Sequence, residues 1–261
     1  MFISRHALVH AWLEPFALTG VRTDDRKGGT SMRQQYTEAL QGVTDQLVEM
    51  TRLVGSAMQR ATTALLDADL VLAESVIAAD EQVDNLHASL EEQAIVLIAR
   101  QAPVATDLRL LVAGLRMSAD LERMGDLARH VAKVARMRYP DSAVPPELRA
   151  SILEMGSIAE QLVAKVGAIV ATRDAESAAK LETDDDLMDR LHRGLFSALL
   201  DDDWQYGIES AIDVTLIGRY YERYADHAVS VARQTIFLVT GEMPPAPSAL
   251  SNGKPETALG V

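Results

Sequence analysis

Apolar positions along this chain recur at helical spacing, as in Leu47, Met50, Val54, Met58, Ala61 and Leu65, and no stretch keeps the strict alternation of a half-buried strand. Proline punctuates the pattern. Between residues 33 and 243 it occurs only at Pro103, Pro140, Pro145 and Pro146, and the stretches between are rich in Ala, Leu, Glu, Met and Arg, all strong helix formers. These breaks predict an all-α chain of six long helices. Helix 1 is placed at 34–66, followed by the turn Asp67-Ala-Asp69 with Asp69 capping helix 2, which runs to about Ala99. Helix 3 spans about 104 to Met137 and is followed by a Pro/Asp/Ser-rich linker at 139–146. Helix 4 covers 147–171, Asp174 caps helix 5, which ends near Leu200, and helix 6 covers 206–240. Residues 241–261 read as a Pro-rich disordered tail.

The two halves repeat each other. The string DEQVDNLH at 80–87 returns as DDLMDRLH at 185–192, a shift of 105 that also carries Asp69 onto Asp174. ERMGDLA at 122–128 returns as ERYADHA at 222–228, a shift of 100, and Val131-Ala132 continues onto Val231-Ala232. Two ordered matches with nearly one offset predict a tandem of two three-helix bundles, 32–138 and 147–240. Residues 1–31 fall outside the repeat. The polar stretch Thr23–Ser31 reads as a break before Met32, so the first 31 residues are expected to be an upstream extension; a short docked amphipathic segment carrying Trp12 and Phe16 is the alternative. The apolar run Ala7–Leu13 is too short to span a bilayer and lacks a clear signal-peptide cleavage site.

Charge narrows the function classes. Among 261 residues, 25 basic against 38 acidic side chains leave −13, which argues against a general nucleic-acid or anionic-membrane binder. The absence of cysteine excludes disulfides, iron–sulfur clusters and thiolate zinc sites, and fits a reducing cytosol. No P-loop, dinucleotide fingerprint, GxSxG or HExxH stretch is present.

Each repeat carries two acidic pairs at i, i+4 spacing: Asp80/Asp84 and Glu122/Asp126, then Asp185/Asp189 and Glu222/Asp226. Such pairs repel if merely exposed, yet Glu122 and Asp126 continue the apolar stripe Leu108, Leu111, Leu115 and Ala119. Carboxylates at a helix seam must be paired, protonated or metal-bound. Four converging carboxylates would suit a hard divalent or trivalent cation, Fe, Mn, Mg or less ideally Zn; ion pairing with Arg123 and Arg223 is the competing reading. His87 and His192, each three residues after an aspartate, admit a di-iron type of enzyme centre. The repeat separates them, however, which favours surface or supporting roles. Tyr220, Tyr221 and Tyr224 read as a packing or dimer-contact surface.

The passages Ala105-Thr-Asp107-Leu-Arg109, Asp120-Leu-Glu122-Arg-Met-Gly-Asp126 and Glu222-Arg-Tyr-Ala-Asp226, with Tyr36 and Leu40 after Met32, resemble the PhoU family over about 32–243. Ala225 departs from the family's usual glycine, which Gly125 keeps. The resemblance implies two three-helix bundles, a metal-binding acidic face, frequent homodimers and no catalysis. It further implies a cytoplasmic regulator whose partners are the ATPase subunit of a phosphate ABC importer and a phosphate-sensing histidine kinase. Such a regulator keeps the phosphate-starvation response off when phosphate is plentiful.

Overall fold

The computed structural model describes residues 25–184 and 186–244. The helices are α1 (Asp25–Asp67), α2 (Leu70–Gln101), α3 (Ala105–Arg138), α4 (Arg149–Thr172), α5 (Ala175–Asp184), α6 (Asp186–Leu199) and α7 (Gly207–Thr240). A single 3-10 turn, Pro146–Leu148, precedes α4. No strand occurs among the described residues. Helices α5 and α6 flank Asp185 and together occupy the place of the predicted fifth helix.

The chain divides into two compact units, with the boundary in the sequence between Thr37 and Glu38. In the first, the described residues are the helical start of α1, where the Thr37 hydroxyl donates to the Arg33 carbonyl. The second unit carries everything discussed below. One expectation fails at the start of the chain. The predicted break over 23–31 is helical from Asp25 onward, through Gly28 and Gly29. Extending an existing helix gains a hydrogen bond for each residue fixed, so two glycines at about 1 kcal/mol each do not stop it. The other boundaries lie within one or two residues of expectation, and at the starts of α2 and α5 side-chain caps set them. The Asp69 carboxylate accepts from the Leu72 amide, and Asp174 accepts from the Glu176 and Ser177 amides.

The packing explains the offsets. Thr51 lies against Gly167, Gly55 against Val163 and Thr62 against Gly156, so α1 and α4 run antiparallel in one register. Shifting Thr51 by 105 gives Gly156, and shifting Thr62 by 105 gives Gly167. The first contact therefore maps onto the third with its partners exchanged, as a two-fold relation between the repeats requires. Helices α3 and α7 obey the same rule with the shift of 100. His130 of α3 stacks on Tyr220 of α7 at 5.3 Å, and at the matched positions Ser230 of α7 donates to Asp120 of α3 at 2.7 Å.

Glycine permits the close approach of α1 to α4. A Cβ on Gly55 would stand 2.9 Å from Val163 Cγ1. The core between these helices holds Leu47, Met50, Met58, Ile152 and Met155, all fully buried. Tyr221 and Tyr224 are also fully buried, with the Tyr221 hydroxyl 2.7 Å from Thr62 Oγ1. These two rings are core packing. Tyr220 alone of the cluster is partly exposed.

Candidate metal centres

Both acidic seams lie between the second and third helices of a repeat. In the first repeat, α2 offers Asp80 and Asp84 one turn apart, and α3 offers Glu122 and Asp126. Glycine decides how closely they meet, because a Cβ at Gly125 would stand 3.0 Å from Asp80 Oδ1. Asp80 is only 6% exposed. Burial pushes its carboxyl up from the usual 3.8 to about 6, Arg129 opposes the shift, and the charges of Asp84, Asp126 and Glu122 add to it. Glu122 is likewise raised, first by burial and then by Asp126 and Asp84. All four predicted carboxylates of this repeat therefore act on one neighbourhood, with Asp84 on its exposed side.

A cation already stands there. Arg129 Nη1 lies 2.7 Å from Asp80 Oδ2, and the same guanidinium also pairs with Asp126. Arg123 joins Asp126 from the solvent side at 3.0 Å. Ion pairing was expected from Arg123; the inner partner, Arg129, was missed. Its signal in the sequence was its place three residues after Asp126, one turn along the same face. Among the described residues, no three His, Asp or Glu side chains come together closely enough to hold a metal as they stand.

The second seam is built differently. Asp185 lies outside the described residues. Glu222 and Asp226 are both raised by burial, and each feels the other or Asp189 as a like charge. Arg219 binds Glu222 at 2.5 Å, whereas Arg223 turns toward His227 Nε2 at 3.5 Å and Arg193 stays 3.8 Å from Asp189. Position 229, which matches Arg129, is a valine. The guanidinium that joins Asp80 to Asp126 in the first seam thus has no counterpart at the matched position of the second.

The histidines stay apart. His87 Nδ1 meets Ser118 at 3.2 Å, and His192 packs against Phe196 with ring centres 5.0 Å apart. Burial lowers the His192 pKa, and neighbouring Arg219 lowers it further. One histidine sits on each seam, so the two do not form the shared centre that a di-iron enzyme of the expected type would need. A polar knot that the sequence did not flag ties α3 to α7. Asp120 meets His227 Nδ1 at 2.9 Å and accepts from the Ser230 hydroxyl.

The donor set fits a hard cation. It is made of carboxylate oxygens, and Asp80 Oδ2 is buried at ion-pair distance from Arg129 without an aligned hydrogen bond. That oxygen retains an unused lone-pair direction. Asp80 and Asp126 would hold such a cation only with the Arg129 guanidinium moved aside.

Comparison with known proteins identifies the architecture. The PhoU domain model matches twice, at residues 47–135 and 152–235, which together exceed half of the chain. The chain belongs to the PhoU family. The two matched spans begin 105 residues apart and end 100 apart, the offsets found in the helices. Phosphate-specific transport system accessory protein PhoU homolog 2 of Mycobacterium tuberculosis is 51% identical over 213 residues, covering 82% of this chain and all of that protein. PhoU homolog 1 of the same organism is 43% identical over 82% of this chain and 96% of that one. The crystal structure of PhoU from Pseudomonas aeruginosa superposes with a TM-score of 0.72 at 30% identity, covering 79% of this chain and 100% of that one. A PhoU from Streptococcus pneumoniae, at 23% identity and a TM-score of 0.73, covers 80% of this chain and 99% of its own and shares the fold. Among the described residues no helix is long and apolar enough to cross a membrane.

Proposed function

We propose that this PhoU-family chain is an accessory regulator of phosphate uptake that binds metal ions at its acidic seams and performs no catalysis. Kinship carries the first part of this reading: relatives named as accessory proteins of the phosphate-specific transport system match over four-fifths of the chain. The metal proposal rests on Asp80, a buried carboxylate raised to about 6 beside three further acids. Asp80, Asp84, Glu122 and Asp126 would hold one cation, of the Fe, Mn, Mg or Zn class, and Asp189, Glu222 and Asp226, with Asp185, another. Bound metal cancels like-charge repulsion and stiffens the α2–α3 and α6–α7 seams, and so favours one partner-binding state.

In this reading the protein works in the cytoplasm, as a homodimer. It contacts the ATPase subunit of a phosphate ABC importer and a phosphate-sensing histidine kinase, and holds phosphate-scavenging genes off in phosphate-rich cells. Elemental analysis of wild type against the variant with Glu122, Asp126, Glu222 and Asp226 changed to alanine tests the metal. The variant should lose metal while remaining helical. Deleting the gene should raise phosphate-scavenging expression in high phosphate; unchanged repression in a strain without a second copy refutes the regulatory part.

A further inference from the structure

The outer face of the α6–α7 hairpin carries an open apolar groove of about 680 Å³. Phe196 and Leu199 line it from α6, Leu200 and Trp204 from the turn that follows, and Ile208, Ile212 and Leu216 from α7. Three of these side chains are strongly exposed, Leu200 at 83%, Ile208 at 81% and Ile212 at 53%. Contiguous apolar surface of this kind on an otherwise charged protein marks an interaction site.

The first repeat serves as an internal control. At the position matching Phe196 it has Glu91, and at the position matching Leu216 it has Arg116. Leu200, Ile208 and Ile212 are matched by the apolar Ile95, Leu108 and Val112, so the first repeat differs by two charges set into the same kind of face. Apolar side chains at positions 196 and 216 are therefore not demanded by the fold.

Spacing and charge point to the occupant. Ile208, Ile212 and Leu216 form a row of i, i+4, i+8 positions about 12 Å long, which suits an amphipathic helix presenting apolar residues at i, i+3/i+4 and i+7. The turn that enters the groove at Trp204 is acidic. Residues 194–218 contain five acids, Asp201, Asp202, Asp203, Glu209 and Asp213, and no lysine or arginine. Arg138 of α3 neutralises Glu209 and Asp213, which leaves the three exposed aspartates of the turn beside Trp204. A second copy of this chain, at −13, would bring acid to acid.

We propose that the α6–α7 groove is the docking site for an amphipathic helix of a partner protein that carries lysine or arginine at the end lying against Asp201–Asp203. The proposal stands apart from the metal and phosphate readings, since none of its residues belongs to either acidic seam.

The test gives the second repeat the residues of the first. Phe196→Glu with Leu216→Arg leaves the net charge unchanged, and both residues stand in a hairpin that the first repeat folds with those side chains. The probe is a fluorescein-labelled Leu/Lys amphipathic helix of about 18 residues, with a Leu/Glu counterpart, followed by anisotropy in about 0.3 M salt to screen diffuse attraction. Wild type should bind the lysine helix and not the glutamate helix, and the double variant should bind it at least about tenfold more weakly. No binding by wild type, equal binding by the variant, or equal binding of both peptides overturns the proposal. If the variant separates a wild-type dimer in sedimentation, the groove joins two copies. If removing residues 245–261 sharpens peptide binding, the chain's own tail fills it. Either result also overturns the partner assignment. Circular dichroism checks the fold, and if the double variant melts early, Ile208→Ser alone repeats the test at an 81% exposed position.

Discussion

Replacing Gly156 by alanine should destabilise the protein although alanine is the better helix former. A Cβ at residue 156 would stand 2.6 Å from Thr62 Cγ2, 2.8 Å from its Oγ1 and 3.2 Å from its Cβ. Thr62 cannot easily turn away. Its hydroxyl donates to the Met58 carbonyl at 2.8 Å and pairs with the buried Tyr221 hydroxyl, and a β-branched side chain in a helix has few rotamers. Forcing one methyl into such a contact costs about 1–3 kcal/mol, while Gly→Ala inside a helix returns about 1 kcal/mol. The net loss is about 0–2 kcal/mol, and a 2.6 Å approach to a side chain held by two hydrogen bonds sets it toward the upper end.

Gly194 provides the control, being a mid-helix glycine of α6 with no atom within 4 Å of its ideal Cβ. Gly194→Ala should therefore gain about 0.5–1 kcal/mol. Urea denaturation of the two variants should move the midpoint in opposite directions. Combining Gly156→Ala with Thr62→Ala should recover part of the packing cost as a favourable coupling. If Gly156→Ala is as stable as wild type or better, the close α1–α4 crossing argued above is wrong.

Three further outcomes follow from buried polar groups. The folded pKa of Asp80, about 6, lies above its usual 3.8, so this residue weighs least on the fold below pH 4 and increasingly as pH rises through 6. In the presence of a chelator, Asp80→Asn should gain on wild type by about 1 kcal/mol between pH 5 and pH 8; a pH-independent offset in urea midpoints contradicts the shift. Asp120→Ala strips partners from His227 and Ser230 and should cost about 1–3 kcal/mol of unfolding free energy, whereas a loss below about 0.5 kcal/mol would remove the α3–α7 knot from the account. Tyr221→Phe deletes one hydroxyl and leaves Thr62 bonded to Met58, so a melting study should show a loss of only about 1 kcal/mol.

Helix positions were legible because proline, capping aspartates and 3.6-residue periodicity are local signals. Asp69 and Asp174 illustrate this, since each announces its helix and each makes the capping bonds expected of it. The repeat was legible because both halves bury the same faces. The seams were half legible. Spacing placed Asp80, Asp84, Glu122 and Asp126 on adjoining faces, and the structure brings their charges together. Arg129 stands one turn after Asp126, a local signal for that one pair, but its pairing with Asp80 crosses to another helix, where no local spacing marks it. The Asp120–His227–Ser230 knot was invisible for the same reason. Tyr221 and Tyr224 could be read as packing or contact surface until the α1–α4 crossing showed them inside the core.

The alternation of threonine and glycine where α1 crosses α4 also determines which halves can pair. Thr51 nests on Gly167 and Thr62 on Gly156, a knob from the first repeat meeting a hollow from the second at both ends of the crossing. Two copies of the first repeat arranged the same way would set Thr51 against Thr62, knob against knob. Two copies of the second would set Gly156 against Gly167, hollow against hollow, and leave voids. A symmetric pair of identical halves has no such preference built into it. In this chain the two halves have become lock and key, so each discriminates against its own likeness, and exchange of repeats between neighbouring molecules can succeed only by restoring one first repeat beside one second.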